Sequence, residues 1–431
     1  MEYLLFVFYL VLFAWLVTKV KFFTRSGLNS SQLIILFLLK VMAGIFYGWM
    51  GLYYGNLAQM VDTWAYHHYG IAEYQLLWVD PWAYLTNLFH DPYPGGVDKF
   101  FGSTMSYWND LKGNIFVKFL SMLNILSFGH YYVNVIAFSF ISLFGPIALY
   151  RVMIDIFPGK KLIILLAIFL TPSFIYWTSG LYKEGLIFTA ISIVIYNLYF
   201  GWKEKRYTFG RWFGIVAGLF MLLVMRNYLM VLILPAVLAW LIASRWRRYA
   251  LGIFTGVYLA CGILFFTARY ILPSLDFPKA VVAKQQAFLQ LQGGASAIPI
   301  KELEPTAQSF FKNTPQAVTL SFLRPFPGDV RHLLSLAASI EINLLICLFI
   351  LFMFFRKKTN PLARMPIYLC LFLSVSVMLA IGFSVNNLGA IVRYRSIVLP
   401  LMIIPMAAQI DWRRLGTVMS AKNKKIQSPT A

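Results

Sequence analysis

Three carboxylates, Asp62, Glu184 and Glu341, and five cations, Lys183, Arg226, Arg324, Arg393 and Arg395, occupy positions from which they could act on a phosphorylated substrate. A carboxylate can take the proton of an attacking hydroxyl, and cations can hold a departing phosphate. One base among several cations therefore points to group transfer from a phosphate leaving group. Arg393 and Arg395 stand two apart at the start of an apolar run, where planar guanidinium donors suit phosphate oxygens. In Phe322-Leu323-Arg324-Pro325-Phe326-Pro327 two prolines flank an aromatic, so the backbone presenting Arg324 should be extended and stiff. Lys183-Glu184 lies between two apolar runs and reads either as a compensated pair ending two helices or as part of a site, with Glu184 favoured at a helix N-terminus. Arg226 interrupts a further run, where snorkelling to the interface is the plain alternative to function. Glu341 falls about eight residues into an apolar run. An unpaired carboxylate there is costly, so it should face a basic partner or a cavity, and structural pairing and active-site duty stand level.

His67 and His68 are adjacent, so on a helix they diverge by about 100° and make a poor metal pair. No HExxH or second spaced pair accompanies them, and Cys261, Cys347 and Cys370 lack CxxC spacing. The reading is substrate contact or a plain interfacial place for the two histidines, no resident metal and no certain cofactor. A divalent cation, Mg or Mn, shared between Asp62 and a donor phosphate stays open.

The elements that must position these residues are membrane helices. The chain has 431 residues, of which 60% are hydrophobic and 12% charged, and its mean hydropathy is +0.71. That excludes a soluble enzyme, a secreted disulfide scaffold and a disordered protein. Apolar runs predict an all-α polytopic bundle of about eleven transmembrane helices: 3–23, 32–55, 131–156, 161–178, 185–201, 212–226, 228–244, 250–272, 333–355, 366–384 and 392–410. The split at Arg226-Asn227 avoids placing a charge at mid-bilayer, and Pro400 and Pro405 allow the last helix to kink around a cavity.

Alternating spans divide the connections into two sets. One set, in which Lys40 is counted, carries 23 positives against three acids, and the other carries 14 positives against 13 acids. The net charge of +21 is therefore a retention signal for the cytoplasmic face, with the N-terminus outside and the C-terminus inside, and not a nucleic-acid footprint. Residues 1–414 form one transmembrane domain, and 415–431 a basic cytoplasmic tail expected to be disordered. The first helix has no basic n-region and is read as a retained anchor. Two outer connections, 56–130 and 273–332, are long. The first opens at Asp62, is rich in aromatics that suit an interfacial belt, and contains an amphipathic stretch from Ile115 to Phe128. The second has an amphipathic start, Ala280 to Gln292, then Gly293-Gly294 as a flexible joint.

At these residues the chain resembles the multi-spanning GT-C glycosyltransferases: an in-to-out helix, an outer loop opening with an acid, then a bundle of further spans. The likeness covers about residues 32–270. It implies that Asp62 activates the acceptor and that residues 78–128 form juxtamembrane helices. The acidic pair frequent in such loops is absent, since Thr63 follows Asp62. A repeat-unit polymerase of the O-antigen type is a related resemblance, which Arg324, Arg393 and Arg395 suit. Both imply transfer of a sugar or oligosaccharide from a lipid-linked polyprenyl-phosphate or pyrophosphate donor to a glycan, lipid or protein acceptor. The setting is surface polysaccharide or glycoconjugate synthesis at the periplasmic face of a bacterial inner membrane. The alternative is a transporter or flippase of lipid-linked oligosaccharide.

Overall fold

The apolar runs fold as helices in the computed structural model, which describes residues 2–53, 62–102, 104–291, 296–357 and 361–417. In lipid the backbone must satisfy its own hydrogen bonds, and a helix does so locally. In chain order the main helices are α1 (Glu2–Val17), α2 (Ser30–Tyr53), α3 (Asp62–Val79), α4 (Tyr107–Ser127), α5 (Tyr131–Ile156), α6 (Lys161–Phe169), α7 (Pro172–Ser179) and α8 (Lys183–Lys203). They continue as α9 (Phe209–Arg245), α10 (Ala250–Ile271), α11 (Phe277–Leu289), α12 (Ala307–Val318), α13 (Leu333–Phe355), α14 (Pro361–Ser384), α15 (Leu388–Ser396) and α16 (Leu399–Gln409). Gly293, Gly294 and the tail from residue 418 lie outside the described residues.

Among the described residues seven helices are long and apolar enough to cross a membrane, and nine spans result if each of two bent pairs counts as one. The protein is thus an all-helical, multi-pass membrane protein. Three of the expected spans differ in form. The first, α1, has 16 residues, short of the roughly 20 that cross a bilayer unaided. The fourth breaks between α6 and α7 with a 57° bend, and the last between α15 and α16 with a 63° bend. Pro172 and Pro400 stand in the first turn of the second half-helix in each case, where a missing N–H costs nothing.

Helix α9 spans 37 residues as two helices joined across a kink at a non-helical residue, Arg226, at φ −154° and ψ 88°. Its first half packs on α8 through Gly214, against Asn197, and Gly218, against Ala190 and Val194. Its second half returns along α8, since the Trp240 ring lies 5.7 Å from that of Trp202. A straight helix would carry Trp240 about 20 Å past Arg226 and away from Trp202. The chain therefore doubles back at Arg226, where the sequence places a break.

Helices α5 and α8 form the centre and touch closely: a Cβ on Gly145 would come within 2.7 Å of the Thr189 backbone. At one end of this pair Asp155 accepts from Lys203 at 2.6 Å and from the Tyr199 hydroxyl at 2.5 Å. Lys357 pairs with Asp411 at 3.2 Å, and Arg211 with Glu204 at 2.5 Å. The opposite end carries α3, α4, α11 and α12. The expected amphipathic stretches appear there as α4 and α11. Lys118 of α4 is buried, donates to the Tyr84 carbonyl and pairs with Glu73 of α3, which pins the two helices together.

Lys40 requires a correction. Counted by sequence with the basic connections, it instead lies buried within α2.

Candidate functional site

The half-helix α7 sets the geometry of the site, and it is held at both ends. At its N-terminus Glu341 of α13 accepts from the Ser173 N–H at 2.7 Å and from the Ser173 hydroxyl at 2.6 Å. At its C-terminus the Lys40 ammonium donates to the Thr178 carbonyl at 2.6 Å and the Ser179 hydroxyl at 3.2 Å. A carboxylate on the positive end of the helix dipole and an ammonium on the negative end satisfy groups that a broken span would leave bare in lipid.

The corner after α7 runs against α2. A Cβ on Gly180 would lie 2.0 Å from the Tyr47 ring, so only glycine permits this approach. Thr63 is buried, donates to the Leu181 carbonyl at 3.1 Å and is 2.8 Å from the Tyr131 hydroxyl. The threonine that replaces a second acid thus ties the start of α3 to the corner and places Asp62 beside it.

Four of the expected site residues meet here in a chain of alternating charge. Asp62 accepts from Arg393 at 3.0 Å and from the Tyr182 hydroxyl at 3.1 Å. Arg393 Nε is 3.7 Å from Glu184, and Glu184, fully buried, accepts a hydrogen bond from Arg226. Arg226 also donates to the Tyr228 hydroxyl at 3.0 Å. The guanidinium groups stack on aromatic faces, Arg226 at 4.1 Å from the Tyr394 ring centre and Arg393 at 5.0 Å from those of Tyr182 and Tyr394. Lys183 sits alongside, 4.9 Å from the centre of the Tyr66 ring.

The other expected residues take different places. Arg395 is fully buried and donates to the backbone carbonyls of Ser321 and Arg324, so it fixes a loop. Arg324 and Phe326 are extended as expected, but the Arg324 side chain turns to its own loop, 3.7 Å from Asp329 and 5.4 Å from the Phe326 ring centre. Glu341 serves α7. His67 is buried at 3.1 Å from the Gly129 carbonyl; burial and then the neighbouring His68 hold its imidazole down at about 4. His68 is exposed near Trp64. Among the described residues no group of three or more His, Cys, Asp or Glu could hold a metal ion.

Beside the charge chain opens a cavity of about 1760 Å³, larger than the roughly 300–1,000 Å³ of ordinary small-molecule sites. Its polar end is lined by Tyr66, Lys112, Lys183, Arg226, Lys284 and Tyr394. From there it follows the second half of α9 past Leu238 to Leu241, facing Tyr258 and Cys261 of α10 and Leu379 of α14. Leu241 lies 15 residues beyond the break at Arg226, about 22 Å along the second half of α9. Lys112 and Lys284 were not singled out by sequence, because a lysine on an amphipathic helix ordinarily faces water. Burial lowers both, and Lys284 and Arg226 help hold Lys112 at about 8. Asp62 and Glu184 stand behind the polar end; the carboxylates that line the cavity are Glu73 and Asp110.

Compared with known protein families, characterised proteins and solved structures, the chain matches none. Function must therefore be argued from the site. A cationic pocket leads into a long apolar channel, an arrangement that can take an anionic group at one end and an apolar chain along its length.

Proposed function

We propose that this protein is a membrane glycosyltransferase that moves a sugar or oligosaccharide from a polyprenyl-phosphate or pyrophosphate carrier to an acceptor. The observation that carries the reading is the cavity, whose cations would hold the phosphate while its apolar walls take the chain. In the transfer an acceptor hydroxyl oxygen bonds to the anomeric carbon, the bond from that carbon to the carrier phosphate oxygen breaks, and the phosphate leaves with the electron pair. The acceptor proton passes to a carboxylate, for which Asp62 is the assignment, since it is the solvent-exposed acid of the charge chain. Arg226 and Lys183 compensate the departing charge. Arg393 orients Asp62, Glu184 orients both arginines, and Arg395 and Arg324 fix the adjoining loop. This resembles the GT-C plan and the repeat-unit polymerases in general layout.

Counting α1, both bent pairs and each half of α9 gives the eleven spans of the sequence reading. The basic connections then lie in the cytoplasm, and the site faces the periplasm of a bacterial inner membrane. Even without Lys40, 22 positives remain in that set. The partners are a lipid-linked donor, a glycan, lipid or protein acceptor, and the surrounding lipids; the chemistry needs no nucleic acid. Glycan analysis of cells carrying Asp62→Asn or Arg226→Ala, each checked for membrane insertion, tests the proposal. Loss of a surface glycan with lipid-linked precursor accumulating on the outer leaflet supports it, and unchanged glycans refute it. The second reading, a flippase, is favoured by one feature: two broken helices packed side by side, a common device of transporters. Precursor trapped on the inner leaflet would select it.

A further inference from the structure

The polar end of the cavity carries more positive charge than its own carboxylates balance. Arg226 is paired with Glu184. Of the lining acids, Glu73 is taken by Lys118, while Asp110 accepts from the neutral Tyr93 hydroxyl and, among the described residues, has no cation within ion-pair distance. Among the described residues, Lys112, Lys183 and Lys284 have no carboxylate within ion-pair distance. Lys183 and Lys284 face aromatic rings instead, Lys284 at 5.2 Å from that of Phe288. The three lysines come from three elements, the start of α4, the first turn of α8 and the amphipathic helix α11, so their convergence is a product of the fold and not of local sequence. Lys183 also opens α8, whose N-terminal amides add further positive potential.

We propose that this end of the cavity binds a diphosphate in preference to a monophosphate, and that the single chain attached to it runs along the second half of α9 to Cys261. The inference rests on the transferase reading for the identity of the chain as a polyprenol. A phosphodiester brings one negative charge and a diphosphate diester two, so three lysines set against Asp110 alone are better compensated by the second. An ordinary two-chain phospholipid has a single phosphodiester and fits less well on charge. The path of the chain follows from the lining: Leu238 and Leu241 on one side, and Cys261, Leu264 and Leu379 on the other, are apolar, with Tyr258 and Ser376 as polar groups among them.

The test uses the purified full chain in detergent, with a sugar-linked polyprenyl diphosphate diester, the sugar-linked polyprenyl phosphodiester of equal chain length (the monophosphate) and phosphatidylglycerol as probes, and binding read by native mass spectrometry. The diphosphate should bind about tenfold more tightly than the monophosphate, the worth of one further charge-assisted contact. Lys284→Ala and Lys112→Ala should erase that preference, Lys284→Arg should keep it, and thermal melts should establish that each variant is folded. A diphosphate probe with a diazirine along its chain should crosslink to the peptide containing Cys261. Equal binding of the two polyprenyl probes overturns the diphosphate assignment while leaving the carrier reading intact. Equal binding of phosphatidylglycerol as well removes the support for a polyprenyl carrier, and crosslinking confined to other helices overturns the path.

Discussion

Replacing Glu341 tests whether the break between α6 and α7 is held by a charge at mid-depth. The carboxylate accepts two hydrogen bonds from one residue, at 2.7 Å from the Ser173 backbone and 2.6 Å from its hydroxyl, and it is 4% exposed. Hydrogen bonds to a charged group contribute about 1.5–3 kcal/mol each, and a buried donor left bare costs more than the bond was worth. Glu341→Ala should therefore destabilise the fold by about 3 kcal/mol. Glu341→Gln, which keeps an acceptor but no charge, should cost about half as much. Ser173→Ala removes only the hydroxyl bond and should cost about 1.5 kcal/mol. Because both changes act on one contact, the double variant should cost about as much as Glu341→Ala alone, a coupling of about 1.5 kcal/mol. Reversible unfolding in mixed detergent, followed by tryptophan fluorescence, gives all four corners of this cycle. Additive effects, or a loss below about 0.5 kcal/mol for Glu341→Ala, would refute the argument that this carboxylate caps a half-helix in the membrane.

Three further outcomes follow from contacts outside that break. Thr63→Val removes a buried donor and leaves the Leu181 carbonyl unpaired, so stability should fall by about 1–2 kcal/mol in a thermal or chemical melt. Asp62 should also lose its position, so on the proposed transferase reading transfer should drop. Burial holds the His67 imidazole at about 4 in the folded chain against about 6.5 unfolded, so the unfolded chain binds the extra proton between those values. Stability should therefore fall as pH drops from about 6.5 towards 4, by an amount on the order of 3 kcal/mol, and melts of His67→Asn should lose that pH dependence. Lys112, held at about 8 by burial, Lys284 and Arg226, is charged below that pH; binding of an anionic lipid should weaken as pH rises above about 8, and Lys112→Arg should abolish the weakening.

What the sequence made legible was what composition and short-range pattern control. The helices follow from apolar runs of bilayer length, and the reversal at Arg226 from the cost of a guanidinium at mid-depth. The amphipathic helices α4 and α11 follow from helical spacing. The meeting of Asp62, Glu184, Arg226 and Arg393 follows from their shared location at span ends. The partners of Glu341 and Lys40 were not legible, because each reaches a half-helix 168 or 138 residues away. Arg324 misled because the prolines were read and Asp329, five residues on, was not weighed as its partner. The burial of Arg395 depends on the carbonyls of a loop more than 70 residues earlier, for which no local pattern exists. Lys112 and Lys284 carry no mark distinguishing a lysine over a cavity from one in water.

The broken spans explain why the charge chain can exist at all. A continuous helix advances about 1.5 Å per residue and offers each face in turn; it cannot end in the bilayer without exposing carbonyls and amides. By stopping at Ser179, α7 places the corner and Lys183 against α2 and α3, and the ring centre of Trp177, two residues earlier, stands 5.6 Å from Arg393. The second broken span brings Arg393 to the same place from α15, which packs on α7. Arg393 then finds Asp62, an acid on a different element, and Arg226 finds Glu184 from the reversal of α9. Each cation is costly alone at this depth, and each is compensated by a carboxylate or an aromatic face supplied from elsewhere in the chain. Shifting one helix would therefore strand a charge, which gives the bundle a reason to hold Lys183 and Arg226 beside the cavity within narrow limits. One capped break, a second break and one hairpin reversal are what turn a set of scattered ionisable residues into a single positively charged pocket mouth.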